Sequence, residues 1–333
     1  MRVAVLGGGA WGTALADLLA RKGEEVVLWA REPEVVERVN REHVNPLFLP
    51  DAPLGPSLRA EGDIGDAVRG AEMVVSAAPS FAVREVAERA APALTGRPLV
   101  VSVSKGLEGG LKTMSTVLGE VLPAGTTVAV LSGPSFAREV HDRQPTAVVA
   151  AARDQRVAER AQQAFSCGHF RVYSHTDVLG VELAGALKNV IALAAGILEG
   201  LGLGHNPRAA LITRGLAEIT RLGTRLGADP MTFAGLAGMG DLILTATGAL
   251  SRNRALGVAI GTGQSLEQAQ AGKRSVAEGV HTARTAVALG DRYGAELPIA
   301  REVAEILFTG KPPRQAVTDL MERDLKAEQW GGR

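Results

Sequence analysis

An α/β fold, with a doubly wound, mostly parallel sheet followed by a second, all-helical domain, is predicted by three observations. The first half of the chain alternates short apolar runs with helical periods. Those runs are continuous in Val, Ala and Leu rather than interleaved with polar residues, as a sheet covered on both faces requires. Beyond about residue 175 the strand-like runs stop and helical periods take over. The boundary is placed near Asp177, giving domains 1–176 and 177–333. At roughly 100–200 residues per domain, a chain of 333 residues has room for both.

In chain order, Val3–Leu6 reads as the first strand. Trp11–Lys22 reads as an amphipathic helix with Leu15, Leu18 and Leu19 on one side. Glu25–Trp29 is a second strand and Pro33–Arg41 a helix opened by proline. Met73–Ala77 is a strand closed by Pro79, and Phe81–Ala91 a helix. Leu99–Val103, Thr126–Leu131 and Thr146–Ala150 are further strands. The segment Asn45–Pro56, with four prolines, is a loop. In the second half the helical periods are Val178–Leu201, Pro207–Leu226, Arg254–Gly261, Glu278–Tyr293 and Ile299–Phe308, separated by Gly and Pro. No repeat and no low-complexity tract interrupts them.

Composition narrows the function. Lys+Arg and Asp+Glu are both 36, so no excess charge draws the chain to nucleic acid or an acidic membrane. Val178–Leu201 is the most lipophilic stretch, yet it carries Glu182, Lys188, Asn189 and Glu199 and reads as a buried helix, not a membrane span. The apolar run at Met1–Gly7 is too short for an export signal. The single cysteine, Cys167, excludes an internal disulfide and fits a reducing cytoplasm. His43, His141, His169, His175, His205 and His281 lack metal-site spacing, so no metal is expected.

The first strand runs into Gly7-Gly8-Gly9-Ala10-Trp11-Gly12, which contains GxGxxG between a strand and a helix. That context makes the motif a Rossmann-like dinucleotide fingerprint instead of a plain glycine turn. Gly7 allows the tight turn, Gly9 the close approach of a pyrophosphate, and Gly12 the packing of helix on strand. At the end of the second strand stand Ala30 and Arg31, with Glu32 after them. A small residue followed by Arg suits the 2′-phosphate of NADP, while Glu32 leaves NAD open. Glu32 is expected to point into solvent. The alternative for Arg31 is a solvated residue at a helix start.

Lysines are few, seven of the 36 basic residues, so each stands out. Lys188 lies in the apolar helix beside Asn189, where a buried cation is expensive. It is either a lysine whose stem lies along the core or a general acid–base. Ser104-Lys105-Gly106 and Ser132-Gly133-Pro134-Ser135-Phe136-Ala137 each follow a strand's carboxyl end, where open parallel sheets bind ligands. The second resembles a nucleophile elbow, but Ala137 stands in place of the last glycine. Gly238-Met239-Gly240 precedes Asp241. Ser251-Arg252-Asn253-Arg254 offers phosphate a hydroxyl, a guanidinium fork and an amide, or else a helix cap followed by solvated arginines.

Taken in order, these segments, with Ser104–Glu108, Gly185–Val190, Leu211–Leu216 and Val276–Gly279, resemble the bacterial NAD(P)-dependent glycerol-3-phosphate dehydrogenase family over nearly the whole chain. The resemblance implies Lys188 as proton acceptor, with Asp241 and Lys105 beside it in catalysis. It implies substrate contacts from Lys105, Gly133, Ser135, Lys188, Asn189, Asp241, Ser251, Arg252 and Asn253. It implies that NADP or NAD contacts Gly7, Gly9, Ala10, Trp11, Gly12, Arg31, Lys105, Ala137, Arg252, Val276 and Glu278. Many relatives carry Ser where Ala10 stands, so only the backbone N–H serves there. The substrate pair would be glycerol 3-phosphate and dihydroxyacetone phosphate, the setting cytoplasmic phospholipid synthesis, and the assembly a homodimer without membrane insertion. A β-hydroxyacid or ketopantoate-type reductase shares the layout and a lysine. A non-catalytic NADP-sensing module would keep the fold without turnover.

Overall fold

The structure, a computed structural model, describes residues 1–109, 112–272, 277–325 and 327–328. The chain forms two compact units, Met1–Glu108 with Lys112–Val178, and a second from Leu179 onward.

The strands of the first unit are β1 (Arg2–Leu6), β2 (Glu25–Trp29), β3 (Arg59–Glu61), β4 (Met73–Ser76), β5 (Leu99–Ser102), β6 (Leu107–Glu108), β7 (Lys112–Thr113), β8 (Thr127–Ser132), β9 (Thr146–Ala151) and β10 (Phe170–His175). Its helices are α1 (Ala10–Arg21), α2 (Pro33–Glu42), α3 (Ile64–Val68), α4 (Val83–Ala90), α5 (Met114–Val121), α6 (Ala137–His141) and α7 (Gln155–Phe165). Among the described residues, eight strands form one sheet in the order β10-β9-β8-β5-β4-β1-β2-β3, with β6 and β7 a separate hairpin. All neighbours in the large sheet are parallel except β8 and β9.

Along β1 the side chains alternate between two cores. Val3 and Val5 pack with Leu15, Leu19 and Phe165 on one face. Ala4 and Leu6 pack with Val83, Met114 and Leu118 on the other. Burial on both faces is why β1, β4 and β5 read as continuous apolar runs. Strand order reverses beside β1, which pairs with β2 on one side and β4 on the other. The crevice at the carboxyl ends of β1 and β4 is the ligand position in such sheets.

Strand β10 extends the sheet where the periodicity predicts no strand. Its Phe170 and Val172 are buried while Arg171 and Tyr173 are exposed, the alternation of an edge strand with one wet face. Helices α5 and α7 were likewise not expected. Helix α12 begins at Arg252, two residues before the apolar period starts, because Ser251 caps it.

The second unit is helical: α8 (Val178–Gly200), which crosses the boundary, then α9 (His205–Arg225), α10 (Pro230–Ala234), α11 (Asp241–Thr247), α12 (Arg252–Gly261), α13 (Leu266–Gln270), α14 (Glu278–Tyr293), α15 (Pro298–Thr309) and α16 (Pro313–Met321). By length and composition α8 is apolar enough to cross a membrane, but its apolar window is buried throughout within the structure. It meets α12 backbone to backbone. A Cβ on Gly196 would lie 2.1 Å from the Arg254 carbonyl oxygen, and one on Gly257 2.2 Å from that of Leu193. Gly200 and Gly261 repeat the contact one turn on. No side chain fits at this crossing.

Candidate active site

In the first unit the glycine loop behaves as its sequence requires. Gly7 has φ of +137°, and a Cβ there would meet the Ala77 carbonyl at 2.7 Å. A Cβ on Gly12 would lie 2.0 Å from the Gly7 oxygen, so α1 sits directly on the turn. Gly9 opens α1 with no side-chain cap, and no acidic residue stands in the first turn. A Cβ on Gly9 would meet nothing within 4 Å. These uncapped N–H groups and the positive helix end suit a pyrophosphate. The Trp11 Nε1 beside them is buried without a hydrogen-bond partner. Ala10 and Ala137 are half-buried at the starts of α1 and α6. The residues present fit a dinucleotide.

Asn45 braces this loop, and its role is not legible from sequence. It is fully buried, and its Nδ2 donates to the Gly8 carbonyl and to Thr13 Oγ1, both at 2.8 Å. The asparagine opens the proline-rich loop, which is the only cue the sequence carries.

Arg31 at the end of β2 is exposed. Glu32 does not point into solvent as expected. Its Oε1 accepts from Arg31 Nη2 at 3.0 Å and Nε at 3.3 Å. Adjacent opposite charges at a helix start find each other before they find water. A 2′-phosphate therefore competes with Glu32 for the guanidinium.

The loops after β5 and β8 converge on one carbonyl. Lys105 Nζ and Ser135 Oγ each donate to the Gly133 oxygen at 3.0 Å. Ser104 Oγ ties the first loop to the end of β4 through the Ala78 carbonyl, at 2.5 Å. Gly133 itself has φ of +141° against Val148. The structure thus brings Lys105, Gly133 and Ser135 together.

In the second unit Lys188 is not a snorkelling lysine. Its residue is 5% exposed, and Nζ donates to Asp241 Oδ1 and Thr245 Oγ1, both at 2.6 Å. Asp241 is 1% exposed and opens α11 directly after a π-helical turn, Leu236–Gly240. Such turns re-aim the residues that follow them. Thr245 lies one turn beyond Asp241, so α11 presents both partners on one face. Thr245 was not anticipated; its spacing from Asp241 is the available signal.

Ser251 is buried and caps α12, its Oγ accepting the Arg254 N–H at 3.2 Å. The Asn253 side chain is engaged at both ends. Its Nδ2 donates to Asn189 Oδ1 at 2.9 Å, and its Oδ1 accepts the Gly279 N–H at 3.0 Å. Asn189 and Asn253 therefore join α8, α12 and α14 next to Lys188. What α12 turns outward is Arg252, exposed at its first position. Arg254 instead forms a bidentate pair with Glu199, at 2.9 and 2.6 Å. Glu278 is half-buried at the start of α14. Val276 lies outside the described residues. No group of metal-ligating side chains occurs among the described residues.

A dinucleotide fold joined to a helical unit that buries a hydrogen-bonded lysine defines a nicotinamide-dependent dehydrogenase. Comparison with known proteins gives its family. The family model described as NAD-dependent glycerol-3-phosphate dehydrogenase N-terminus matches residues 2–158, and that for the C-terminus residues 177–318. The chain belongs to the NAD-dependent glycerol-3-phosphate dehydrogenase family. It is 54% identical over 332 residues to a glycerol-3-phosphate dehydrogenase [NAD(P)+] of Geobacter sulfurreducens, covering 99% of both chains. A relative of the same name from a Geobacter strain, M21, is 53% identical over 98% of both. The crystal structure of glycerol-3-phosphate dehydrogenase from Coxiella burnetii is similar with a TM-score of 0.93 and 40% identity, covering 97% of this chain and 99% of that one.

Proposed function

We propose that the chain interconverts glycerol 3-phosphate and dihydroxyacetone phosphate, with residues 1–176 binding NAD(P) and residues 177–333 binding substrate. The observation that carries this reading is the buried Lys188, fixed by Asp241 and Thr245. NAD(P)H, when bound, supplies the hydride for ketone reduction. Lys188 as an ammonium ion donates a hydrogen bond to the ketone oxygen, where negative charge grows, and then the proton. In oxidation its neutral amine takes the proton back. Asp241 and Thr245 hold Nζ in one position, which removes the entropy of orienting a long side chain.

Arg252 supplies a planar fork for the substrate phosphate, and the first backbone N–H groups of α12 add donors under a favourable helix end. Binding at this remote group orients the reacting carbon. Ser251 and Asn253 act there as a cap and a brace. Lys105, Gly133 and Ser135 are read as further substrate contacts, with Lys105 also facing the cofactor. The glycine loop, Ala10, Trp11, Arg31, Ala137, Arg252, Val276 and Glu278 complete the cofactor set. The reading extends to a cytoplasmic homodimer supplying phospholipid synthesis. A homodimer of fixed mass in light scattering across micromolar concentrations supports that assembly.

The test is NADPH oxidation with dihydroxyacetone phosphate, ketopantoate and a β-keto acid as rival carbonyl substrates. Turnover with dihydroxyacetone phosphate alone supports the reading. Preference for another carbonyl, or cofactor binding without turnover, refutes it.

A further inference from the structure

A polar cavity lies in the first unit along α1, lined from Ala14 to Lys22, with its charged groups toward the carboxyl end of the helix. Helix α1 has 12 residues, so its far end is about 18 Å from the turn. The cavity has a volume of about 180 Å³, and its polar lining is Arg21, Lys22, His141, Arg143, His169 and Cys167, with Asp17 as the only acid.

The carboxylate is already neutralised. Asp17 Oδ2 accepts from Arg21 Nε at 2.8 Å, and its Oδ1 accepts the Gly55 N–H at 2.6 Å. Lys22 is held over the space by the carbonyls of Gln163 and Ala164, at 3.1 and 2.5 Å. Those carbonyls close the last turn of α7, so the negative helix end and Glu24 offset part of the lysine's charge. Burial holds Lys22 below its ordinary pKa, and burial with the Arg143 charge does the same to His169. Among the described residues, the unpaired positive charge at the cavity is chiefly that of Arg143.

Arg143 adds the independent observation. It follows α6 at the position where a helix ends in a left-handed residue, and it has φ of +59°. The Arg143 N–H bonds the Val140 carbonyl and the Gln144 N–H that of Glu139, the pattern in which glycine is the usual occupant. An arginine there keeps the turn at a conformational cost that glycine avoids. Its guanidinium has no hydrogen-bond or carboxylate partner among the described residues, although Arg138, one turn earlier, pairs with Asp142. The strained position thus delivers an exposed guanidinium to the cavity rim, where its charge reaches His169.

We propose that this cavity is an anion site, separate from the glycine loop, that takes phosphate or a small phosphate ester. Arg143 supplies a planar fork, Lys22 a point charge, and His169 a further donor. A halide would leave that fork largely unused.

Cys167 is the chain's single cysteine and lines the same cavity, so its alkylation reports on this site. The rate of labelling by N-ethylmaleimide is measured on the full-length enzyme while inorganic phosphate, or glycerol 2-phosphate, replaces potassium chloride at constant ionic strength. Arg143→Gly suits the backbone angle and so folds, and Arg252→Ala removes the proposed substrate-phosphate contact. Slower labelling with either anion in wild type and in Arg252→Ala is expected. In Arg143→Gly the anion needed for half-protection should rise about tenfold, the loss of one charge-assisted contact. The stronger of the two protectors shows whether the site prefers free phosphate or an ester. Labelling that ignores both anions overturns the proposal. So does protection unchanged by Arg143→Gly, or abolished by Arg252→Ala.

Discussion

Replacing Lys188 by Met keeps an unbranched apolar stem and removes the ammonium. Two losses follow from the same contact. Turnover should fall by about 10²–10⁴, the usual contribution of a positioned acid–base. Stability should fall as well, because Asp241, 1% exposed, loses a donor at 2.6 Å. Breaking one partner of a buried pair costs about 3–5 kcal/mol. Thr245 Oγ1 lies 3.3 Å from Asp241 Oδ1 and can turn its hydroxyl toward it, which places the expected loss at the lower end. At about 2–4 °C per kcal/mol for a unit of this size, Tm drops by at least roughly 6 °C. Lys188→Met/Asp241→Asn removes the orphaned charge and should restore most of the stability and none of the activity. Thermal unfolding by circular dichroism and kcat/KM for dihydroxyacetone phosphate separate the two effects. A single variant within about threefold of wild-type kcat/KM would return Lys188 to a packing role. A double variant no more stable than the single one would mean that Asp241 is not charged against Lys188.

Arg252→Ala should raise KM for dihydroxyacetone phosphate by about tenfold or more, since a charge-assisted contact is worth roughly 1.5–3 kcal/mol; an unchanged KM removes α12 from the phosphate site. NADPH should be preferred over NADH by up to about tenfold in kcat/KM. Arg31→Ala should erase that margin by weakening NADPH alone, and Glu32→Gln should widen it by releasing the guanidinium; equal loss of both cofactors in Arg31→Ala refutes this role. Glu218 on α9 is buried and accepts the backbone N–H groups of Ile299 and Ala300, yet desolvation outweighs those bonds and pushes its carboxyl up to about 7. An acid raised in the folded state stabilises fully below its unfolded value near 4.5 and loses that contribution as pH climbs through about 7. Wild type should therefore lose up to roughly 3 kcal/mol relative to Glu218→Gln between those limits, read from urea unfolding at a series of pH values, and parallel curves would contradict it.

The central strands are legible because burial on both faces leaves an unmistakable run, such as Met73–Val75, with no polar interruption. Strand β10 was not, because one face of Phe170–His175 is wet and its alternation is short. The glycine loop was readable to the residue, since each glycine answers a local steric demand. Lys188 stood out as a cation in an apolar helix, but its partner Thr245 did not, because a threonine in a helix has many ordinary explanations. Asn253 shows the deeper limit. A polar triplet at a helix start suggests three ligands for phosphate, whereas the Asn253 amide is turned inward by Asn189, 64 residues away in sequence. Pairings across that distance depend on helix packing and leave no local pattern. The Arg31–Glu32 pair is hidden for the opposite reason: two adjacent charges at an exposed helix start carry no pattern that separates pairing from solvation.

The glycine crossing of α8 and α12 inverts a familiar rule of protein stabilisation. Glycine inside a helix is about 1 kcal/mol less favourable than alanine, so Gly→Ala is ordinarily a gain. Gly119 in α5 fits that expectation: it is exposed, and a methyl group there would touch nothing within 4 Å. Gly257 does not, since its methyl group would drive into the Leu193 carbonyl, an atom that cannot step aside. Gly119→Ala should raise Tm, and Gly257→Ala should lower it by an overpacking cost of about 1–3 kcal/mol or more. The helices forgo local propensity there in exchange for a stop that no rotamer can adjust. The start of α12, where Arg252 sits, is thus indexed against α8 by main chain as well as by the Asn253–Asn189 and Arg254–Glu199 contacts, and a consensus-style programme of thermostabilisation would damage the enzyme at the positions where its usual substitution looks safest.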